Sequence, residues 1–118
     1  MAFFNDLNET TILNDSYRKE LYTVSGQGAF QLVIMSLLPE QDIGMEIHSD
    51  VTQFISIVSG IGILIFNGDK KLLTPGSAIV IPPNAEHNII NVSKTENLKL
   101  TSVYTPPEHP PKTHQIFK

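Results

Sequence analysis

Cysteine is absent from this 118-residue chain, which excludes disulfides, thiolate metal sites and cysteine nucleophiles together. Long apolar runs are missing as well. The most extended, Phe30 to Leu38 and Ile61 to Phe66, fall well short of the roughly 20 residues that a membrane-crossing helix needs. Positive charge is scarce: 8 Lys and Arg stand against 12 Asp and Glu for a net charge of −4. The basic residues occur only as isolated pairs such as Arg18-Lys19 and Lys70-Lys71. Nucleic-acid binding needs a clustered positive field to neutralise phosphates, so neither nucleic acid nor a membrane is an expected partner. The segment Met1-Ala2-Phe3-Phe4-Asn5-Asp6 turns polar and acidic at once, unlike a secretory leader. These absences fit a soluble, cytoplasmic protein. Only 17% of residues are charged, which leaves room for part of the surface to be covered by a partner chain.

What the sequence does have is frequent punctuation. Gly, Pro and Asn recur at short intervals between segments rich in Ile, Val, Leu and Phe. Strands are expected at Glu20–Val24, Phe30–Leu38, Met45–His48, Gln53–Val58, Ile61–Phe66, Lys70–Leu73, Ala78–Ile81, His87–Ile90 and Lys99–Tyr104. Short strands between turn signals are the pattern of an all-β sandwich or barrel. The clearest joint is Asn67-Gly68, because both central positions of a type I′ turn need positive φ. Thr74-Pro75-Gly76 and Pro82-Pro83-Asn84 read as further turns. The length suits a single domain spanning 1–118, with its barrel at about residues 20–104. A helical turn or two is expected only within Phe3 to Leu13, capped by Asn5 or Asp6. From Thr105 to Lys118 the cluster Pro106-Pro107-Glu108-His109-Pro110-Pro111 predicts an extended tail outside the barrel.

Four histidines are available: His48, His87, His109 and His114. On a strand, alternation puts Glu46 and His48 on one face. After a short polar turn at Ser49 to Thr52, Gln53, Ile55 and Ile57 share a face of the next strand. If that face is interior, the Gln53 amide oxygen comes near Glu46 and His48. His87, Ile89 and Asn91 share a face of a separate strand. A histidine opening a strand is ordinarily a surface or capping residue, and one Glu-x-His is unremarkable. Two histidines and a carboxylate are nevertheless the ligand set of facial-triad iron sites, and they also suit zinc, nickel or manganese. Asp50 reads as a turn residue and Asn91 as a tie between its loop and the backbone. Phe30, Met35, Phe54, Phe66 and Tyr104 read as core or pocket wall. His109 and His114 are expected to be exposed or at a partner, unless the tail folds over the barrel mouth and brings His109 to the rim.

The spacing of these residues resembles the cupin superfamily. The first motif of that family runs Gly, five residues, His-x-His, three or four residues, Glu, six residues, Gly. Counting back from Gly60 places Gln53 at the Glu position, His48 at the second His and Glu46 at the first. The second motif runs Gly, five residues, Pro-x-Gly, two residues, His, three residues, Asn. It is met by Gly76, Pro82, Asn84, His87 and Asn91 with every interval kept. Asn84 replaces glycine, and Asn is the residue next best able to take positive φ. The closer similarity is to small stand-alone cupins, which share Glu46-x-His48, Gln53-Phe54 and the ending Tyr104-Thr105-Pro106-Pro107-x-His109-Pro110.

The resemblance implies a double-stranded β-helix, or jelly-roll, barrel with a short N-terminal arm and a Pro-rich tail. It implies a divalent transition metal (Fe, Zn, Mn or Ni) held by Glu46, His48, Gln53 and His87. The usual three-His, one-Glu centre becomes two His, one Glu and one Gln here, and the neutral Gln53 is the weakest of the four. It implies a small-molecule ligand and a homodimer, paired through the Met1 to Leu13 arm or an edge strand such as Glu20–Val24, since edges need covering. A metal-dependent dioxygenase or isomerase, a non-catalytic binder of a sugar or organic acid, and a barrel that has lost its metal all fit this pattern. A seed-storage role does not suit a chain without a second repeat.

Overall fold

Nine strands form the regular structure of the described residues, 1–7 and 16–118 of the computed structural model. They are β1 (Arg18–Val24), β2 (Phe30–Leu37), β3 (Thr52–Ser59), β4 (Gly62–Phe66), β5 (Asp69–Leu73), β6 (Ala78–Ile81), β7 (His87–Asn91), β8 (Leu98–Thr105) and β9 (His114–Gln115). All pair antiparallel, in one sheet ordered β6-β3-β8-β2-β1-β9 and another ordered β5-β4-β7. The two sheets enclose Val33, Leu37, Ile55, Ile57, Leu64, Ile89, Leu98 and Leu100. The architecture is an all-β jelly-roll barrel.

Strand alternation sets which side chains face inward. On β3, Gln53, Ile55 and Ile57 are buried while Phe54 is exposed. Phe54 is therefore outside, not in the core or pocket wall, because it has the opposite parity to Gln53. On β7, His87, Ile89 and Asn91 are all buried. The β4–β5 turn has Asn67 at φ 47° and Gly68 at φ 86°, the type I′ hairpin. Gly60 has φ 95°, and a Cβ there would sit 2.6 Å from the Asn97 carbonyl oxygen.

Met45–His48 is not a strand. Glu46 instead forms an isolated bridge with His87, its N–H donating to the His87 carbonyl at 2.8 Å and its carbonyl accepting from His87 at 3.0 Å. A second bridge joins Asp42 to Ile90. Between the two lies Gly44 at φ 88°, a left-handed kink that interrupts a regular ladder.

The tail is more than extended chain, because its non-proline residues find partners. Glu20 N–H donates to the Thr113 carbonyl at 2.8 Å, Lys112 N–H donates to the Glu20 carboxylate at 2.6 Å, and β9 pairs with Arg18 and Lys19 of β1. β1 is therefore covered over those two residues, and the edges of this sheet are β6 and β9. The helical turns expected within Phe3 to Leu13 fall largely on residues 8–15, outside the described residues. Among the described residues no helix is long and apolar enough to cross a membrane.

Candidate metal centre

The bridge that replaces the expected strand is what assembles the site. It locks Glu46 opposite His87, and the Asn84 N–H holds the His48 carbonyl at 2.8 Å. Asn84 has φ 68°, so it takes the backbone conformation of the glycine whose motif position it fills. From this frame, one donor each from Glu46, His48 and His87 lie within 4.8 Å of one another. The Glu46 Oε2 is 3.2 Å from His48 Nε2 and 3.9 Å from His87 Nε2. The imidazole centroids are 5.6 Å apart.

His87 is fully buried. Its Nδ1 lies 3.0 Å from the Ala85 carbonyl, and a carbonyl only accepts, so Nδ1 carries the proton. The opposite nitrogen, Nε2, is buried without a hydrogen-bond partner. Leaving a buried acceptor unpaired costs about 1–3 kcal/mol, which points to a partner that the described residues do not supply. Gln53 makes a parallel case. Its amide nitrogen donates to Ser102 Oγ at 2.8 Å while its oxygen is buried and unpartnered. Two imidazole nitrogens and a carboxylate within 4.8 Å of one another fit a divalent transition metal.

The tail crosses the mouth of this site. Gln31, fully buried on β2, accepts from Glu108 N–H at 3.1 Å and His109 N–H at 2.9 Å, and donates to the His109 carbonyl at 2.6 Å. This clamp sets the His109 ring edge-on to Tyr104, centroids 5.2 Å apart, and Tyr104 in turn lies 6.0 Å from the His48 ring. His109 is thus half-buried at the rim rather than exposed, with its Nε2 lacking a partner. Burial, reinforced by Arg18 and His48, pushes its pKa down to about 4, so the ring is neutral at pH 7. Burial likewise raises the Tyr104 phenol to about 12. Glu108 completes the rim, its Oε1 3.3 Å from His48 Nδ1.

The other candidates fall elsewhere. Asp50 is exposed. Asn91 donates to the carbonyls of Leu37, Leu38 and Glu96 and accepts from Ser93 N–H, so it ties loops together. His114 Nε2 meets Ser16 Oγ at 2.7 Å. A cleft of about 540 Å³ between Leu38, Ser59, Gly60 and Lys99 lies at the opposite end of the strands, since Gln53 pairs with Tyr104 and Ser59 with Lys99. Sequence reasoning missed Gln31 and Glu108. The signal for Gln31 was a polar residue inside the apolar run Phe30 to Leu38; Glu108 had no local signal.

Comparison with known proteins agrees with this architecture. The family model for the cupin domain matches residues 33–104. The chain is 45% identical over 109 residues to the uncharacterized protein L612 of Acanthamoeba polyphaga mimivirus, covering 90% of this chain and 66% of that one. It is 40% identical over 114 residues to the uncharacterized protein YrkC of Bacillus subtilis, covering 92% and 59%. The chain thus spans about three fifths to two thirds of the length of these relatives. The crystal structure of BH2720 from Bacillus halodurans superposes with a TM-score of 0.86 at 30% identity, covering 98% of this chain and 89% of that one. A conserved protein of unknown function from Streptococcus pyogenes, SPY1581, shares the fold at a TM-score of 0.71 and 21% identity, covering 92% and 91%. The family match spans both motifs, the bridge and the β8 end of the site, and the chain belongs to the cupin superfamily as a small cupin-domain protein.

Proposed function

We propose that Glu46, His48 and His87 hold a divalent transition metal at the barrel mouth, with Gln53 as a weaker fourth donor, and that a small polar metabolite binds there. The carrying observation is the buried, unpartnered Nε2 of His87 within reach of Glu46 and His48. Such a metal supplies Lewis acidity toward a carbonyl or enol, or activation of water or dioxygen, which is the chemistry of a metal-dependent isomerase or dioxygenase. The chain's residues do the rest. Ala85 fixes the His87 ring, Glu46 contributes the carboxylate of the ligand set, and Tyr104 stays protonated below its pKa of about 12. His109, neutral with a free Nε2, offers a hydrogen bond to a polar ligand.

One observation favours a second reading. A pKa of about 4 makes His109 a weak base, and among the described residues the other basic groups shown at the rim are the proposed ligands and Glu108, so the site equally suits holding an organic acid or sugar without turnover. Metal binding by variants tests the first element common to both. His48→Ala and His87→Ala should abolish binding, while Gln53→Ala only weakens it; equal losses from all three would overturn this ranking. For assembly we propose a homodimer. Phe54 and Val80 are exposed, paired neighbours on β3 and the edge strand β6, an apolar edge that a second copy would cover. Sedimentation showing a monomer at micromolar concentration removes the dimer.

A further inference from the structure

Resting on the metal reading above, we propose that Glu108 is a positioning residue for the centre, delivered by the C-terminal tail and clamped by Gln31. A neutral imidazole carries its proton on one nitrogen or the other. To give Nε2 to a metal, His48 must carry its proton on Nδ1. For His87 the barrel itself enforces that choice, through the Ala85 carbonyl 3.0 Å from Nδ1. Among the described residues no backbone carbonyl is hydrogen-bonded to His48 Nδ1. What stands at its Nδ1 edge is the Glu108 carboxylate, 3.3 Å away, while Nε2 faces Glu46 at 3.2 Å. A carboxylate beside Nδ1 stabilises the proton there, frees the Nε2 lone pair and makes the ring a stronger donor. Without it, nothing at Nδ1 competes with the Glu46 carboxylate already 3.2 Å from Nε2, and the proton settles on Nε2, where it blocks a cation.

The position of Glu108 is built. Flanked by Pro106-Pro107 and Pro110-Pro111, it follows stiff chain whose backbone is fixed by the three Gln31 bonds and by Glu20 on Lys112. Gln31 is fully buried and spends its whole amide on the tail and on Thr23. The tail is therefore part of the metal site, although it lies outside the residues that match the family model, 33–104.

Zinc affinity measured by competition with a chromophoric chelator tests this on the full chain, with apo melting as the folding control. Glu108→Ala should weaken zinc by about 10–100-fold without moving the apo midpoint, because Glu108 is exposed. Glu108→Gln keeps an acceptor oxygen beside Nδ1 and should stay within about threefold of wild type. Gln31→Leu should cost as much as Glu108→Ala, and the double variant no more than either alone, because both act through one contact. In the zinc-loaded protein the His48 Nδ1 proton should give a slowly exchanging NMR signal that Glu108→Ala loses. Unchanged affinity in Glu108→Ala overturns the positioning role while leaving the metal reading intact. A loss in Glu108→Gln as large as in Glu108→Ala overturns it in favour of direct ligation. A wild type that takes up no zinc overturns both.

Discussion

Replacing His87 with leucine separates a metal ligand from an ordinary buried histidine. Truncating a satisfied core residue costs about 2–5 kcal/mol. His87 is not satisfied: its Nε2 is buried without a partner. Leucine removes that orphan, a gain of about 1–3 kcal/mol, but leaves the buried Ala85 carbonyl unpaired, a loss of about 1–3 kcal/mol. The change in side-chain shape adds a penalty below about 1.5 kcal/mol. The two polar contributions nearly cancel, so the metal-free variant should melt within about 6 °C of wild type, taking roughly 4 °C per kcal/mol for a domain of this size. Metal reverses the order. At free metal 100-fold above Kd the wild type gains about 2.7 kcal/mol, or about 10 °C, and the variant gains nothing. Thermal melting with and without zinc or iron(II) measures both. A metal-free variant destabilised by more than about 3 kcal/mol, or one that keeps the metal-induced shift, would refute the assignment.

Three further outcomes follow from the same geometry. Gln53→Glu should tighten metal binding, because the buried unpaired oxygen becomes charged, and should lower the metal-free melting temperature, because a second carboxylate is buried beside few partners; unchanged affinity in a competition titration would place Gln53 off the centre. Gly60→Ala should cost about 2–4 kcal/mol, since it adds a backbone collision to the strain of positive φ, whereas Gly68→Ala at φ 86° with open space around it should cost about 1 kcal/mol; urea midpoints that rank them the other way would contradict the packing at Gly60. His109 has a folded pKa near 4, below the unfolded value. Between those values the unfolded chain binds more protons, so its contribution is complete above about pH 6.5 and is lost as pH falls towards 4. Urea denaturation across that range should show the decline in wild type and a flatter profile in His109→Gln.

The barrel was legible because its strands carry their own punctuation: Asn67-Gly68 and the interval from Gly76 to Asn91 depend on local backbone demands that sequence displays directly. His87 and Asn84 were found through those same intervals. Strand parity put Gln53 on one face with Ile55 and Ile57, and that face is the buried one. What parity could not show was the path from Gln41 to His48, where Gly44 breaks the ladder and a single bridge does the positioning. With five residues intervening before Glu46, Glu40 falls at the family's first glycine, and the structure keeps the left-handed backbone there, φ 66°, without the glycine. The tail's contribution was illegible for a different reason. Gln31 and Glu108 meet across 77 residues, and no local period or spacing encodes a contact of that separation.

The central claim is that Glu46, His48 and His87 share one metal ion. Anomalous diffraction at the absorption edge of the metal, from crystals reconstituted with zinc or iron(II), tests it most directly. One peak is expected, bonded to the Glu46 carboxylate and to the Nε2 atoms of His48 and His87 at about 2.0–2.2 Å. A protein that takes up metal without a peak at these three residues, or takes up none, would contradict it.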